Sequence, residues 1–528
     1  MKNGFGNRRL AVTINCVALA ATSVLMVLNC STKACAQATP IKHLVVIFQE
    51  NVSFDHYFGT YPNAANITGE PQFEARPGTP AVNGLTPQLL SSNPNATNPA
   101  NANIPMGANP FRLDITQAVT CSQDHNYMPE QLAFDGGMMD NFPQATGDGL
   151  EGNCPTYAYG HLNGIVMGYY DGNTVTALWN YAQAFAMSDN SYGTTFGPSV
   201  PGALNLISGL TYPVTPSGPT GHVVAMKKGV GTLIDNLDPT GDVCSSGVTV
   251  SMGGKNIGRL LNEKRVTWGW FEGGFDLTLK NSDGSTGCAR NHLGPMGMTV
   301  TDYASHHEPF QYFAATANLT HKRPNSVHNI GTSNDGGAKH QYDIHDFFDA
   351  LAANNLPSVS FLKAPRYQDG HPEHSSPLLE QQFLVSVINQ LESSRFWPTM
   401  AIIINWDDSD GWYDHQMSPT VNPSQTPADI LSGPGICGSG TPLKGIQGRC
   451  GYGPRIPLMV ISPYAKSNFV DHTLTDQSSI LRFIEDNWRT GRIGGGSFDA
   501  IAGSINNMFN FHTTTPPLFL DPNTGEPM

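Results

Sequence analysis

One of the most apolar runs in this 528-residue chain ends in two aspartates. Thr399-Met-Ala-Ile-Ile-Ile-Asn-Trp406 has the composition of a strand covered on both faces, and Asp407-Asp408 follow at once. Leu44-Val-Val-Ile-Phe-Gln49 repeats the pattern and ends in Glu50-Asn51. Acids at the ends of buried strands are costly unless positive charge meets them. In an open α/β sheet, that end is also where ligands bind. A covered sheet with a cation at its strand ends is the arrangement this pattern demands.

Further apolar runs predict strands over Ile41–Gln49, Arg265–Phe271, Ser358–Leu362, Met400–Asn405 and Ile456–Ile461. Helical spacing predicts helices over Val175–Phe185, Pro377–Leu391 and Asp476–Trp488. Strands alternating with helices predict an α/β fold, a three-layer sandwich with a mostly parallel central sheet. Asn63–Asn109 and Ser418–Gly453 are long and polar, and the strand pattern resumes after each, so both read as surface insertions. Residues 37–528 are expected to form a single domain.

The first 36 residues read as an export signal. Lys2, Arg8 and Arg9 precede an apolar run from Leu10 to Leu28, and Ala34-Cys-Ala36 offers a small-x-small cleavage site. Asn7-Arg8-Arg9-Leu10 leaves twin-arginine export open beside the ordinary secretory route. The expected location is periplasmic or secreted. That segment carries four cations and no acid, so its removal takes the formal charge from −14 to −18. Such a charge argues against nucleic acid as a partner, and no protein partner is evident. Six cysteines remain, and an even number in an exported chain suggests three disulfides. Pairing neighbours in sequence is the simplest choice: Cys121–Cys154, Cys244–Cys288 and Cys437–Cys450. None lies in a zinc-type spacing.

Glu50, Asn51, Asp407 and Asp408 are all oxygen donors, suited to one hard or borderline divalent cation whose identity stays open. Gly197-Pro198-Ser199 followed by apolar residues reads as a turn entering a helix, with Ser199 at its head. Free backbone N–H groups there favour a phosphate and a hydroxyl attacking it. Thr194 and Thr195 are competing hydroxyls. His125, the pair His306-His307, and His371 with His374 lie in charge-poor segments and could grip phosphate oxygens or move protons. Asp410-Gly411 reads as a turn, Trp412-Tyr413 as packing, and Asp414-His415 as supports behind the metal ligands. The chain has no GxSxG elbow, no phosphate loop and no HExxH helix.

The opening Ile41-Lys-His-Leu-Val-Val-Ile-Phe-Gln-Glu-Asn-Val-Ser-Phe-Asp-His-Tyr-Phe-Gly59 resembles the signature of the bacterial phosphoesterase family. So do His306-His-Glu-Pro-Phe-Gln-Tyr-Phe313, Asn405-Trp-Asp-Asp-Ser-Asp-Gly-Trp-Tyr-Asp-His415 and Gly453-Pro-Arg-Ile-Pro-Leu-Met-Val-Ile-Ser-Pro463. The family holds phospholipases C and a secreted acid phosphatase branch, within the alkaline phosphatase-like superfamily. The resemblance implies an alkaline phosphatase-like fold and a phosphoserine mechanism at one divalent metal. Glu50, Asn51, Asp407, Asp408 and Ser199 match its metal ligands, and Ser199 its nucleophile. His125, His306, His307 and His371 match histidines of the phosphate pocket, with His307 the first choice to protonate the leaving oxygen. His371 is preferred to His374 because it directly precedes a proline. The implied substrate is a phosphate ester or a phospholipid, with transient contact to a lipid surface. Gly202-Ala203 stand where phospholipase C relatives usually have Asn-Arg, and the Asp407-Asp408 pair is closer to the acid phosphatase branch. Two other readings are a secreted binding protein with a structural metal site and a sulfatase-like hydrolase. The second lacks its arginine after Ser199-Val-Pro201.

Overall fold

A central eight-stranded sheet carries the molecule. The structure, a computed structural model, describes residue 1 and residues 37–104, 108–147, 154, 155 and 162–528; the expected export signal lies outside the described residues. In chain order the strands are β1 (His43–Gln49), β2 (Ala186–Ser188), β3 (Trp268–Glu272), β4 (Gln341–Asp343), β5 (Val359–Lys363), β6 (Met400–Trp406), β7 (Leu458–Ile461) and β8 (Phe469–Asp471). Their order across the sheet is β4-β3-β5-β1-β6-β7-β2-β8. Only β7 runs antiparallel to its neighbours; the other pairings are parallel.

The five strands expected from apolar runs all form. The other three, β2, β4 and β8, are three residues each, too short to show a period. All of β6, and β1 beyond His43, is buried, which requires cover on both faces. That cover comes from two groups of helices. α1 (Thr176–Ala184) packs on α4 (Pro377–Glu392), while α2 (Ser199–Ser208), α3 (Ile257–Lys264) and α5 (Gln477–Trp488) pack on one another. The result is the expected three-layer α/β sandwich with a mostly parallel sheet. Helix starts follow local chemistry. Ser376 caps α4 by accepting from Leu379 N at 3.3 Å, with Pro377 in the first turn. Asp476 and Ser479 form a reciprocal capping box on α5.

A small antiparallel sheet over Val214–Pro216, Val223–Lys227, Val230–Leu233 and Val250–Met252 was not expected. Its strands are half exposed and one carries Met226-Lys227, so no apolar run marks them. Cys121–Cys154, Cys244–Cys288 and Cys437–Cys450 are bridged as the sequence suggested, which fits an oxidising compartment. No helix among the described residues is long and apolar enough to cross a membrane.

The register sets the site. Gln49 lies opposite Trp406, and Ile47 lies opposite Leu362. Glu50 and Asp407 therefore emerge level with each other, and Lys363 ends the neighbouring strand two residues short of Glu50, within reach of both acids through its long side chain.

Candidate active site

Glu50, Asn51, Asp407 and Asp408 are all buried at this edge. Backbone bonds fix them: Glu50 N donates to Asp369 O at 3.0 Å, Asp407 N to Gln49 O at 3.1 Å, and Val52 N to Asp408 O at 3.0 Å. Both amide atoms of Asn51 are buried without a hydrogen-bond partner among the described residues. A buried amide in that state costs free energy unless a partner reaches it.

Ser199 is the first residue of α2 and is buried. Its Oγ lies within donating reach of Asp408 Oδ2 at 3.2 Å and Glu50 Oε2 at 3.4 Å. The competing hydroxyls are committed elsewhere. Thr194 Oγ1 donates to Asp476 Oδ2 at 2.6 Å, and Thr195 Oγ1 accepts from Asn205 Nδ2 at 3.1 Å. The helix reaches the acids because of Gly202. A Cβ there would fall inside the van der Waals envelope of the Asp407 carbonyl, which also accepts from Gln477 Nε2 at 2.5 Å. Gly202→Ala should therefore push α2 off the strand end. We expect turnover to fall about 100-fold, the scale of a 1 Å misplacement, with a lower melting temperature. Steady-state kinetics beside thermal denaturation check this, and unchanged turnover would contradict the close approach.

The histidines fall into three settings. His307 is buried with Nε2 3.2 Å from Glu50 Oε1, and burial holds it well below the usual imidazole value. His306, its neighbour in a 3-10 turn, is part-exposed and points Nδ1 at Asp238 Oδ1, 3.6 Å away. His125 Nδ1 lies 2.7 Å from Gln123 O and 3.2 Å from Asp410 Oδ1. Burial opposes its protonation, but Asp408 and Asp410 outweigh it and raise its pKa well above the ordinary value. His371 stacks on His374 at 4.3 Å and meets His125 edge-on at 6.0 Å; burial, with His374, pushes it down to about 4.

Asp414 and His415 do not reach the strand-end acids. They join Asp55 and Arg455 in a separate buried network: Arg455 Nε donates to Asp414 Oδ2 at 3.1 Å, and His415 Nδ1 lies 2.6 Å from Asp55 Oδ2. Asp410 does turn the chain, with φ of 50°, but its carboxylate also holds Ser122 Oγ at 2.9 Å beside His125.

Lys363 was missed. The apolar run was expected to stop at Leu362, one residue short of it. Its ammonium is buried and donates to Glu50 Oε1, with Asp407 Oδ2 at 3.5 Å. Burial opposes the charge, but Asp407 and Glu50 hold its pKa above the usual lysine value. The sequence signal is only a lysine closing an apolar run; that its strand adjoins the one ending in Glu50 is set by the register.

The Lys363 ammonium and His125 do not balance the acids here. Burial, with Glu50, drives Asp407 well above the carboxylate range and Asp408 and Asp369 each to about 7. Crowded oxygen donors short of positive charge, with the orphaned Asn51 amide among them, fit a divalent cation.

The sequence profile of the Phosphoesterase family matches residues 41–490. The chain belongs to the Phosphoesterase family. As a member it is a hydrolase acting on phosphoric ester bonds. Phospholipase C A of Mycobacterium tuberculosis is 25% identical over 507 residues, covering 93% of this chain and 81% of that protein. Non-hemolytic phospholipase C of Pseudomonas aeruginosa is 25% identical over 481 residues, covering 89% of this chain and 57% of that one. A solved structure of an alkaline phosphatase superfamily protein from Vibrio parahaemolyticus overlaps 62% of this phosphoesterase and 65% of its own chain, at 14% identity and a TM-score of 0.28. At that score the overlap adds nothing to what the sheet order shows.

Proposed function

We propose that this phosphoesterase is an exported, metal-dependent enzyme of phospholipase C or acid phosphatase type that works through a phosphoserine on Ser199. Residues 37–528 form its single catalytic domain. Glu50, Asn51, Asp407, Asp408 and Ser199 would hold one divalent cation, which when bound supplies Lewis-acid polarisation of the phosphoryl oxygen and eases ionisation of the serine hydroxyl.

The observation that carries this reading is the Ser199 Oγ, at the head of a buried helix and within reach of carboxylates from two adjacent strand ends. Asp408 Oδ2 and Glu50 Oε2 are the two acceptors available for its proton. Oγ attacks phosphorus in line, and the bond to the ester oxygen breaks. His125, whose Nδ1 is held by Gln123 O and Asp410, is placed to protonate the departing oxygen. It takes this role over His307, whose Nε2 is engaged with Glu50. His371, edge-on to His125, would line the phosphate side, while His306 and His307 would act from the far side of Glu50. Water then attacks the phosphoserine and gives up a proton that reloads His125; the P–Oγ bond breaks, Oγ takes back the proton held by Asp408 or Glu50, and the phosphate leaves. A relative named phospholipase C supports a phospholipid ester as substrate, and the Asp407-Asp408 pair supports simpler monoesters.

The test is a panel of phosphatidylcholine, phosphorylcholine and p-nitrophenyl phosphate, from about pH 5 to about pH 9, with calcium, manganese or zinc supplied. Acid quenching during turnover should leave a phosphate on the Ser199 peptide, seen by mass spectrometry. No turnover of any ester, or a phosphate on another residue, would overturn the reading.

A further inference from the structure

The cluster of acids at the strand ends has two sides, and Lys363 holds one of them. On the Ser199 side lie Glu50 Oε2 and Asp408 Oδ2, within 3.4 Å and 3.2 Å of the hydroxyl. On the other side lie Glu50 Oε1, Asp407 Oδ2 and His307 Nε2. Lys363 Nζ is bonded to the first and 3.5 Å from the second. Glu50 Oε1 also sits 3.2 Å from His307 Nε2. Glu50, His307 and Asp369 each place a ligand-type atom within 4.8 Å of the others, and all three side chains are buried. Two carboxylates and an imidazole at that spacing are a ligand set for a transition metal. Among the described residues, Lys363 is the only lysine or arginine within ion-pair distance of Glu50, Asp369, Asp407, Asp408 or Asp410.

We propose that Lys363 is a resident cation standing in the place of a second divalent ion, so that it fixes the centre at one metal and orients Glu50 and Asp407 towards it. The inference rests on the metal reading above. Phosphoryl-transfer centres often use two metals about 4 Å apart, sharing carboxylates between them. Glu50 divides its oxygens in that way here, one to the Ser199 side and one to the ammonium. The ammonium differs from a second metal in bringing no coordination demand and no bound water. It is a positioning residue, placed to act through Glu50 and Asp407.

The test counts metal ions. Wild type, Lys363→Arg, Lys363→Met and Lys363→Gln are prepared with manganese(II) present, dialysed to equilibrium against it and analysed for manganese per chain. Wild type and Lys363→Arg should hold about one equivalent, and each neutral variant about two. The neutral variants should also gain more in melting temperature on adding manganese than wild type does. Neutral variants that stay at one equivalent overturn the inference alone. So does their failure to fold with manganese present, since the metal would then not replace the ammonium. A wild type that binds no divalent cation overturns the metal reading itself. Because the readout is stoichiometry, it is independent of which ester is hydrolysed.

Discussion

Ser199→Ala should lose roughly 10³- to 10⁶-fold in turnover of p-nitrophenyl phosphate or any better ester, with the fold intact by circular dichroism. The size follows from the chemistry. Without Oγ there is no covalent intermediate, and the remaining groups can only bind the ester and orient water. Stability should fall by about 1–2 kcal/mol, the cost of taking one hydroxyl donor from buried carboxylates. Thr194→Val is the control. Its hydroxyl serves Asp476 at the head of α5, so it should cost about 1 kcal/mol of stability and keep turnover within about tenfold. A Ser199→Ala enzyme with full turnover, or a Thr194→Val enzyme without any, would move the nucleophile elsewhere.

The centre was legible where burial and charge conflict inside a short stretch of sequence. Apolar runs ending in Glu50-Asn51 and Asp407-Asp408 force the question of a cation before any fold is known. Lys363 was not legible in the same way, because a lysine after Val-Ser-Phe-Leu reads as the place where a strand meets water. Only the parallel register, which sets Leu362 beside Ile47, turns it toward Glu50. The adjacent histidines show a second limit. His306 and His307 are equivalent in sequence, yet the 3-10 turn sends one toward Asp238 and the other to Glu50. Asp414 and His415 follow the strand-end acids Asp407 and Asp408 closely, but the left-handed turn at Asp410-Gly411 carries them away to Arg455. In each case the missing information is direction, which sequence spacing does not carry across a turn.

Arg455→Met should be among the most destabilising single changes, at about 3–5 kcal/mol near neutral pH. The guanidinium is fully buried and stacks 4.3 Å over the Phe54 ring. It donates to Asp55 Oδ1 at 2.9 Å, Asp414 Oδ2 at 3.1 Å and the carbonyls of Asn83 and Asp189 at 2.7 and 3.0 Å. Methionine keeps some of the stacking but leaves two buried carboxylates with only His415 as a cation. The pH dependence separates this cause from lost packing. In wild type, burial opposes ionisation of Asp55, but His415 and Arg455 hold it below its ordinary value. Its contribution is therefore present above the unfolded value of about 3.9 and is lost as pH falls through the folded one. Burial already holds Asp414 above its ordinary value in wild type against the pull of Arg455; in the variant it should raise Asp414 further and lift Asp55 above about 3.9 as well, so the folded state takes up protons that the unfolded state does not. The variant should then gain stability on acidification toward about pH 4.5, and the gap to wild type should narrow. Denaturant unfolding of both proteins across that range measures it, and a gap that stays constant would assign the loss to packing alone. Segments 50–58 and 407–415 carry the strand-end acids and are both tied to this guanidinium through Asp55 and Asp414. The same substitution should therefore weaken manganese binding, although Arg455 makes no ion pair with Glu50, Asp407 or Asp408.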